Sequence, residues 1–331
     1  MSRVVATTPG LYPLPDWAKD ELAGLKGRQK EDLITGDEGE DLAAAYDRAR
    51  AEVVERQQEA GLDRVVEGQL RWDDMLTHPL AVADAVETRG IVRYYDNNNF
   101  YREPVVTGGL SATGDVAAEL DAVDVAGERL QGVLPDPYSL ADLATDEHYG
   151  DEADFLAAMA DFLAAEVREC PPMETLFLLA PSLVTEPPGE AGERVSEAID
   201  TVASAADAEV VLYPYWGALT EKAHAHVLDA DIDALGYDLV SEPDDNLYNV
   251  QEYGTTDDVA LGLVDGQNTL VESPDTVRER IEWFEERAPN EDFGTVYAAA
   301  NTELFYLPVN KFEAKLDALA EAAAAGPEVT A

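Results

Sequence analysis

The sequence predicts an α/β fold, a (β/α)8 TIM barrel with one β-hairpin inserted over its rim. Eight short runs of aliphatic and β-branched residues recur along the 331 residues. They alternate with stretches of helical apolar spacing, the order of elements that builds a parallel sheet. Several of these runs end in polar or aromatic residues just past the last apolar position. In a closed parallel barrel such ends share one rim, and chemistry sits on that rim. No stretch of linker composition divides the chain, so residues 1–331 are expected to form a single domain.

Arg3-Val-Val-Ala-Thr-Thr8 is the first expected strand, followed by the turn Pro9-Gly-Leu-Tyr-Pro13. An acidic helical arm is expected from about Trp17 to Leu33. Asp41 to Glu59 carries the apolar spacing of a strong helix, with Gly61 to end it. Asp63-Arg-Val-Val-Glu-Gly68 is the second strand. The pattern then changes, because Gly90-Ile-Val-Arg-Tyr-Tyr95 and Glu103-Pro-Val-Val-Thr107 flank Asp96-Asn-Asn-Asn99. That is a hairpin pattern, spanning about residues 90–107. Leu130-Gln-Gly-Val-Leu134 is the third barrel strand; it runs into Pro135-Asp-Pro-Tyr138, with a helix expected over Glu152 to Arg168. Strands four to eight are expected at Leu176–Ala180, Val210–Leu212, Tyr237–Val240, Val259–Val264 and Gly294–Ala298. The fifth is the organising one, since Glu209-Val-Val-Leu-Tyr-Pro-Tyr-Trp-Gly217 delivers three aromatic residues straight to the rim. Helices over Gly192–Ala205, Leu219–Asp229, Pro274–Ala288 and Lys311–Ala325 fill the gaps.

The charge narrows the function. Sixty-nine acidic residues face 22 basic ones, for a formal net charge of -47, while the hydrophobic fraction stays at 46%. With 14 Tyr, 8 Phe and 4 Trp this is a folded body coated in carboxylates, not a disordered acidic chain. Lysine is confined to positions 19, 26, 30, 222, 311 and 315. Such a surface stays hydrated in concentrated salt and repels itself in dilute salt, so a halophilic, high-salt cytoplasm is expected. Nucleic acid and anionic membranes both need a basic face and are excluded as partners. Cys170 is the only cysteine, which excludes an intrachain disulfide and a thiolate cluster. Its place before Pro171-Pro172 is that of a packing residue late in a helix. No apolar run approaches a membrane span and the N-terminus carries no signal-peptide core.

Ala60-Gly-Leu-Asp-Arg-Val-Val-Glu-Gly-Gln-Leu-Arg-Trp-Asp-Asp-Met75 is the most specific segment. Glu67-Gly-Gln69, followed by Arg71 and Asp74-Met75, resembles the second-strand signature of the cobalamin-independent methionine synthase family. The resemblance continues along most of the chain: the 90–106 segment is similar to that family's inserted hairpin, and Gly132-Val-Leu-Pro-Asp-Pro-Tyr-Ser-Leu140 to its third-strand turn. Leu261-Gly-Leu-Val-Asp-Gly-Gln-Asn268 with Val271-Glu272 resembles its seventh strand, and Leu307-Pro-Val-Asn-Lys-Phe-Glu-Ala-Lys-Leu316 its final helix.

The resemblance implies S-methyl transfer from a folate or methylcorrinoid donor to homocysteine, with a zinc ion that lowers the thiol pKa. Such chemistry needs nitrogen and sulfur ligands at strand ends. This chain departs from the pattern there. Where the family's fifth strand ends in His-x-Cys, this chain has Tyr213 and Tyr215; Leu304 stands where a late cysteine would. Only Glu242 matches the remaining zinc ligand. The family's fourth strand ends in Asp-Glu-Pro, whose acids help to hold the amino acid, and here Leu179 and Ala180 precede Pro181. No catalytic residue, metal ligand or resident cofactor is therefore expected in this chain, with zinc expected only if the family activity is retained.

Other positions carry weaker signals. Tyr213, Tyr215 and Trp216 are either a stacking surface for a pterin or corrinoid or a packed plug; aromatic groups near a barrel mouth more often pack. Arg71, Arg93 and Arg102, with Gln69, Asp96 and Asn97, form a ligand-binding rim suited to an anionic tail, against the alternative that the arginines simply pair with surplus carboxylates. His224 and His226, two apart on a helix, are expected at solvated positions. His78 and His148 have no partner that the sequence supplies. Three functional expectations follow from the resemblance. The first is a zinc-less subunit that pairs with a zinc-bearing paralogous barrel and helps to bind the methyl donor, since long family members contain two related barrels of which one carries zinc. The second is an active methyltransferase; the third is a corrinoid- or porphyrin-binding barrel of the related superfamily.

Overall fold

The computed structural model describes residues 2–22, 39–72, 74–94, 100–289 and 293–324. Strand β1 (Arg3–Ala6) leads through a buried turn to helix α1 (Asp16–Leu22). Helix α2 (Glu40–Ala60) buries a stripe of Leu42, Ala45, Tyr46, Ala49, Val53 and Val54 and stops at Gly61 in the left-handed conformation, φ 88°. Strand β2 holds only Val65–Val66, followed by the short helix α3 (His78–Ala81). β2 is short because Gly68 (φ 100°) and Gln69 (φ 53°) turn the chain immediately after it. Strands β3 (Val86–Arg93) and β4 (Phe100–Val106) pair antiparallel, with Arg93 opposite Phe100. They begin earlier than the sequence suggests; Asp96 and Asn97, between them, lie outside the described residues.

Helix α4 (Asp115–Asp121), strand β5 (Leu130–Pro135), helix α5 (Pro137–Asp142) and the bridge-like strand β6 (Thr145–Asp146) follow. Asp136 caps α5 by accepting from the Ser139 and Tyr138 amides, which is why the Pro-Asp-Pro turn is a helix start. Helix α6 (Glu152–Glu169), strand β7 (Thr175–Leu179), helix α7 (Ser182–Thr185) and helix α8 (Gly192–Ala203) come next. Strand β8 (Glu209–Tyr213), helix α9 (Glu221–Val227), strand β9 (Ala234–Asp238) and helix α10 (Pro243–Tyr253) continue the alternation. Strand β10 (Asp258–Val264), helix α11 (Pro274–Glu285), strand β11 (Thr295–Ala300) and helix α12 (Val309–Ala324) complete it.

Eight of the strands form one parallel sheet in the order β1-β11-β10-β9-β8-β7-β5-β2, and β3-β4-β6 form a second, smaller one. The large sheet is curled so that its two outer strands approach each other. Asp63 N and Arg64 N, just ahead of β2, donate to Ala6 O of β1 at 3.0 and 3.3 Å, and Ala6 N returns a bond to Asp63 Oδ2 at 2.8 Å. Long runs of these strands are buried throughout, as expected for a parallel sheet covered by helices. Among the described residues, no helix is long and apolar enough to cross a membrane.

Two expectations need correction. The sixth barrel strand is Ala234–Asp238 and not Tyr237–Val240, so Asp238 ends it. His224 is not solvated: it is fully buried, with Nε2 at 3.2 Å from the Tyr237 hydroxyl. Burial lowers its pKa to about 4 and keeps it neutral.

Candidate functional site

The strand ends carry two different constructions: a filled interior and an open cleft. The filled part is built on Tyr213, the last residue of β8. Its ring lies toward Gly236 of β9, where an added Cβ would stand 2.5 Å from Tyr213 Cδ2. Its hydroxyl reaches further, close to Gly262 of β10, and donates to Ala300 O of β11 at 2.6 Å. One side chain thus crosses the interior from β8 to β11, through space that two glycines leave open. Burial and the nearby Asp238 carboxylate push the Tyr213 hydroxyl well up, so it stays a neutral donor.

Tyr215 is buried beside it, ring centroids 6.5 Å apart, and its hydroxyl points at Met75 Sδ at 3.5 Å. Leu304 is fully buried and its amide donates to Leu11 O at 3.2 Å. Glu242 is exposed and accepts from Ala218 N at 3.2 Å. Leu179 sits in register with Tyr213, and Ala180 N donates to Tyr213 O at 3.0 Å, both buried. The residues at the expected zinc and amino-acid positions therefore have hydrocarbon, phenol and one solvated carboxylate to offer. Among the described residues, no group of three or more His, Cys, Asp or Glu side chains is placed to hold a metal ion.

The open part is a cleft of about 520 Å³ at the ends of β8 to β11. Trp216 supplies an aromatic wall, Ser241 and Asn301 a polar floor, and Asp265, Gln267 and Asn268 the opposite side. The buried carboxylate of Asp238 organises it. Asp238 Oδ1 accepts from the Val240 and Ser241 amides at 3.0 and 2.9 Å, and Oδ2 from Trp216 N at 3.1 Å. Asn301 Nδ2 approaches both oxygens, at 3.2 and 3.3 Å, while its Oδ1 accepts from Gly266 N at 3.0 Å. Trp216 is held in a left-handed conformation, φ 70°, which an indole-bearing residue adopts only when its surroundings fix it. The bond from its amide to Asp238 is one such constraint. Beneath the cleft, Glu303 is buried and accepts from Thr302 Oγ1 at 2.6 Å and Gln267 Nε2 at 3.3 Å. Burial pushes its carboxyl up to about 7 against those hydrogen bonds. The cleft lining carries acceptors, amides and an indole face but no basic side chain, so it suits a planar ligand with N–H donors better than an anion.

Among the described residues of the expected rim, only Trp216 lines this cleft. Gln69 and Arg71 belong instead to a buried ionic network behind β2. Arg50 of α2 donates to Glu67 Oε1 at 3.1 Å, to Asp47 Oδ1 at 2.9 Å and to Glu119, and Arg71 Nε lies 2.8 Å from Glu119 Oε1. Gln69 Oε1 accepts from Leu11 N at 2.6 Å, while its Nε2 is buried with no hydrogen-bond partner among the described residues, beside a void of about 10 Å³. Burial and the Glu119 charge push Glu67 up to about 8, with Arg50 pulling the other way. Arg93 and Arg102 are elsewhere again, on β3 and β4, with the Arg93 guanidinium 5.7 Å from the Phe100 ring centroid. The structure thus divides the described residues of the expected rim among three separate places.

Asp238, Ser241, Asp265 and Asn301 went unnoticed in the sequence, although Asp265 falls inside the Leu261–Asn268 segment. Asn301 had a signal too: it directly follows the apolar run Ala298-Ala-Ala300.

A family model described as "Cobalamin-independent synthase, N-terminal domain" matches residues 82–289. The methionine synthase of Sulfolobus acidocaldarius is 23% identical over 284 residues, covering 83% of this chain and 79% of that one. That of Saccharolobus solfataricus is 22% identical over 291 residues, covering 84% and 83%. Among solved structures, a B12-independent methionine synthase from Shewanella sp. W3-18-1 in complex with selenomethionine matches with a TM-score of 0.78 at 17% identity, over 98% of both chains. A putative vitamin-B12 independent methionine synthase from Listeria monocytogenes matches with a TM-score of 0.67 at 18% identity, over 98% of this chain and 99% of that one. At these identities the structural likeness establishes the fold.

Proposed function

The chain belongs to the cobalamin-independent methionine synthase family of methionine biosynthesis, and from that premise we propose that it is a zinc-less partner barrel. It pairs with a zinc-bearing paralogue and helps to hold the methyl donor, a folate or methylcorrinoid, for transfer to homocysteine. The observation that carries this reading is Tyr213, whose hydroxyl is committed to Ala300 O and whose ring occupies the interior at the expected ligand position. Zinc that activates a thiol takes nitrogen, thiolate and carboxylate donors. Tyr213, Tyr215 and Leu304 do not fit that donor set, and Glu242 by itself does not hold the ion. The match to a model of the N-terminal domain supports the same reading, because in two-barrel members only one barrel is expected to carry zinc.

What this chain contributes in the proposed complex is positioning. The Trp216 face stacks a flat ring, and the Asp238–Asn301 pair keeps the polar floor fixed before the ligand arrives, which lowers the ordering cost of binding. We further read the curled sheet as a closed barrel, supported by the Asp63–Ala6 bonds, and the chain as one domain working in a high-salt cytoplasm, supported by the net charge of -47.

Co-expression with a paralogous barrel that retains His-x-Cys, followed by size exclusion in molar potassium chloride, tests this directly. The two chains are expected to co-elute, with methyl transfer to homocysteine only when both are present. Methyl transfer by this chain alone, or separate elution of the two at all salt concentrations, would overturn the proposal.

A further inference from the structure

The wall of the cleft between Asp265 and Glu272 has almost no regular hydrogen bonding of its own. Its one internal backbone bond is a long Asn268 N to Asp265 O contact at 3.4 Å. It is held from outside, by a lysine on the last helix. Lys315 of α12 is fully buried, and its Nζ donates to Glu272 Oε2 and to Leu270 O, each at 2.6 Å. The other oxygen of the same carboxylate, Glu272 Oε1, accepts from Asp265 N at 2.9 Å. One carboxylate therefore ties the end of the segment to its beginning, and one ammonium group neutralises that carboxylate. The segment is also pressed flat against its neighbour. A Cβ at Gly266 would stand 2.5 Å from Glu303 O, and Gly266 N bonds Asn301 Oδ1.

We propose that Lys315 is a positioning residue for the cleft. By pairing with Glu272 it holds the 265–272 segment in the conformation that makes the cleft's second wall. This rests on the reading of the cleft as the ligand site. The chain's charge makes the arrangement intelligible. Its surface is nearly stripped of lysine, and an exposed pair in molar salt is screened over a few ångströms. A buried pair escapes that screening, so it is the kind of electrostatic tether that works in brine.

The test separates positioning from stability. Hydrogen exchange is followed in molar potassium chloride for the wild type, for Lys315→Met, and for Lys315→Met with Glu272→Leu. In Lys315→Met, which leaves the Glu272 carboxylate without its ammonium partner, the amides of Asp265 and Gly266 are expected to exchange at least roughly a hundredfold faster, and the melting temperature to fall. The double variant replaces the pair with apolar groups of similar size, so its melting temperature is expected to recover while Gly266, whose acceptor Asn301 Oδ1 is untouched, stays unprotected. Binding of 5-methyltetrahydrofolate, read by tryptophan quenching, is expected to weaken roughly tenfold in both variants, following the lost order of the wall. Wild-type protection at Asp265 and Gly266 in Lys315→Met overturns the proposal. So does Gly266 protection that returns with the melting temperature in the double variant. Failure of the wild type to bind this probe counts against the cleft reading; the exchange result still decides whether Lys315 orders the wall.

Discussion

Replacing Tyr213 by alanine is expected to lower stability by about 4 kcal/mol, the range for truncating a large buried aromatic side chain. The ring is fully enclosed, packed on Phe177 at a centroid distance of 5.3 Å and on the backbone at Gly236, so the hole cannot be filled by a neighbour's small shift. Part of the loss comes from the hydroxyl. Tyr213→Phe keeps the packing and removes the donor to the buried Ala300 O, and is expected to cost about 1–3 kcal/mol. Urea unfolding at constant high salt measures both. If Tyr213→Ala costs under about 1 kcal/mol, Tyr213 is not the structural plug described here.

Arg50→Met carries the second large effect, an expected loss of about 3–5 kcal/mol. Arg50 is the common partner of Glu67 and Glu119, both largely buried, and removing it strands two carboxylates side by side. Arg71 reaches Glu119, which leaves Glu67 as the carboxylate most exposed to the loss. The effect depends on pH with a definite sign. Glu67 already has its folded-state pKa raised by burial and by Glu119, and loss of Arg50 raises it further. A raised carboxylate binds its proton more tightly in the folded state, so stability is retained at low pH and falls as pH rises from about 5 to about 8. The wild type loses stability over the same window, so unfolding of Arg50→Met should diverge from it only above about pH 8, where the wild-type Glu67 has already ionised, and Glu67→Gln in the same background should flatten the divergence. A difference that stays constant above about pH 8 would mean that loss of Arg50 does not raise the Glu67 pKa.

The elements that sequence reasoning placed well are those whose interior is mostly apolar. β7, β8 and β11 carry unbroken runs of aliphatic and aromatic residues, β5 and β10 keep enough Leu and Val around one or two exceptions, and α2 shows apolar spacing before Gly61 although Arg50 and Gln57 share its buried face. β9 was displaced because Gly236 leaves only two apolar residues, Ala234 and Leu235, ahead of it. That glycine is needed by a ring on the neighbouring strand, a requirement no local pattern expresses. α10 was missed for a related reason. Its buried face carries Asn246 and Asn249 as well as Leu247 and Val250, and the two amides donate to carbonyls of Gly217, Asp238, Glu242 and Leu219. Polar residues satisfied inside the fold erase the periodicity that marks a helix.

The site was legible only in part. Tyr213, Tyr215 and Leu304 could be singled out because the resemblance gave each an expected chemistry to depart from. The cleft could not, because its framework is a set of hydrogen bonds between loops far apart in sequence, with Asp238 and Asn301 separated by 63 positions. Arg71 reads in the sequence either as a rim cation or as a partner of surplus carboxylates, and the charge network that it joins through Glu119 is created only by the meeting of α2, β2 and α4.

The central claim is that the barrel mouth of this chain cannot activate a thiol with zinc. Its most direct test is zinc content after the isolated chain is equilibrated with the metal in molar salt, with homocysteine present, and then washed with a competing chelator. The account predicts zinc far below one ion per chain and no change in homocysteine thiol reactivity; one retained ion per chain with an ionised thiol would contradict it.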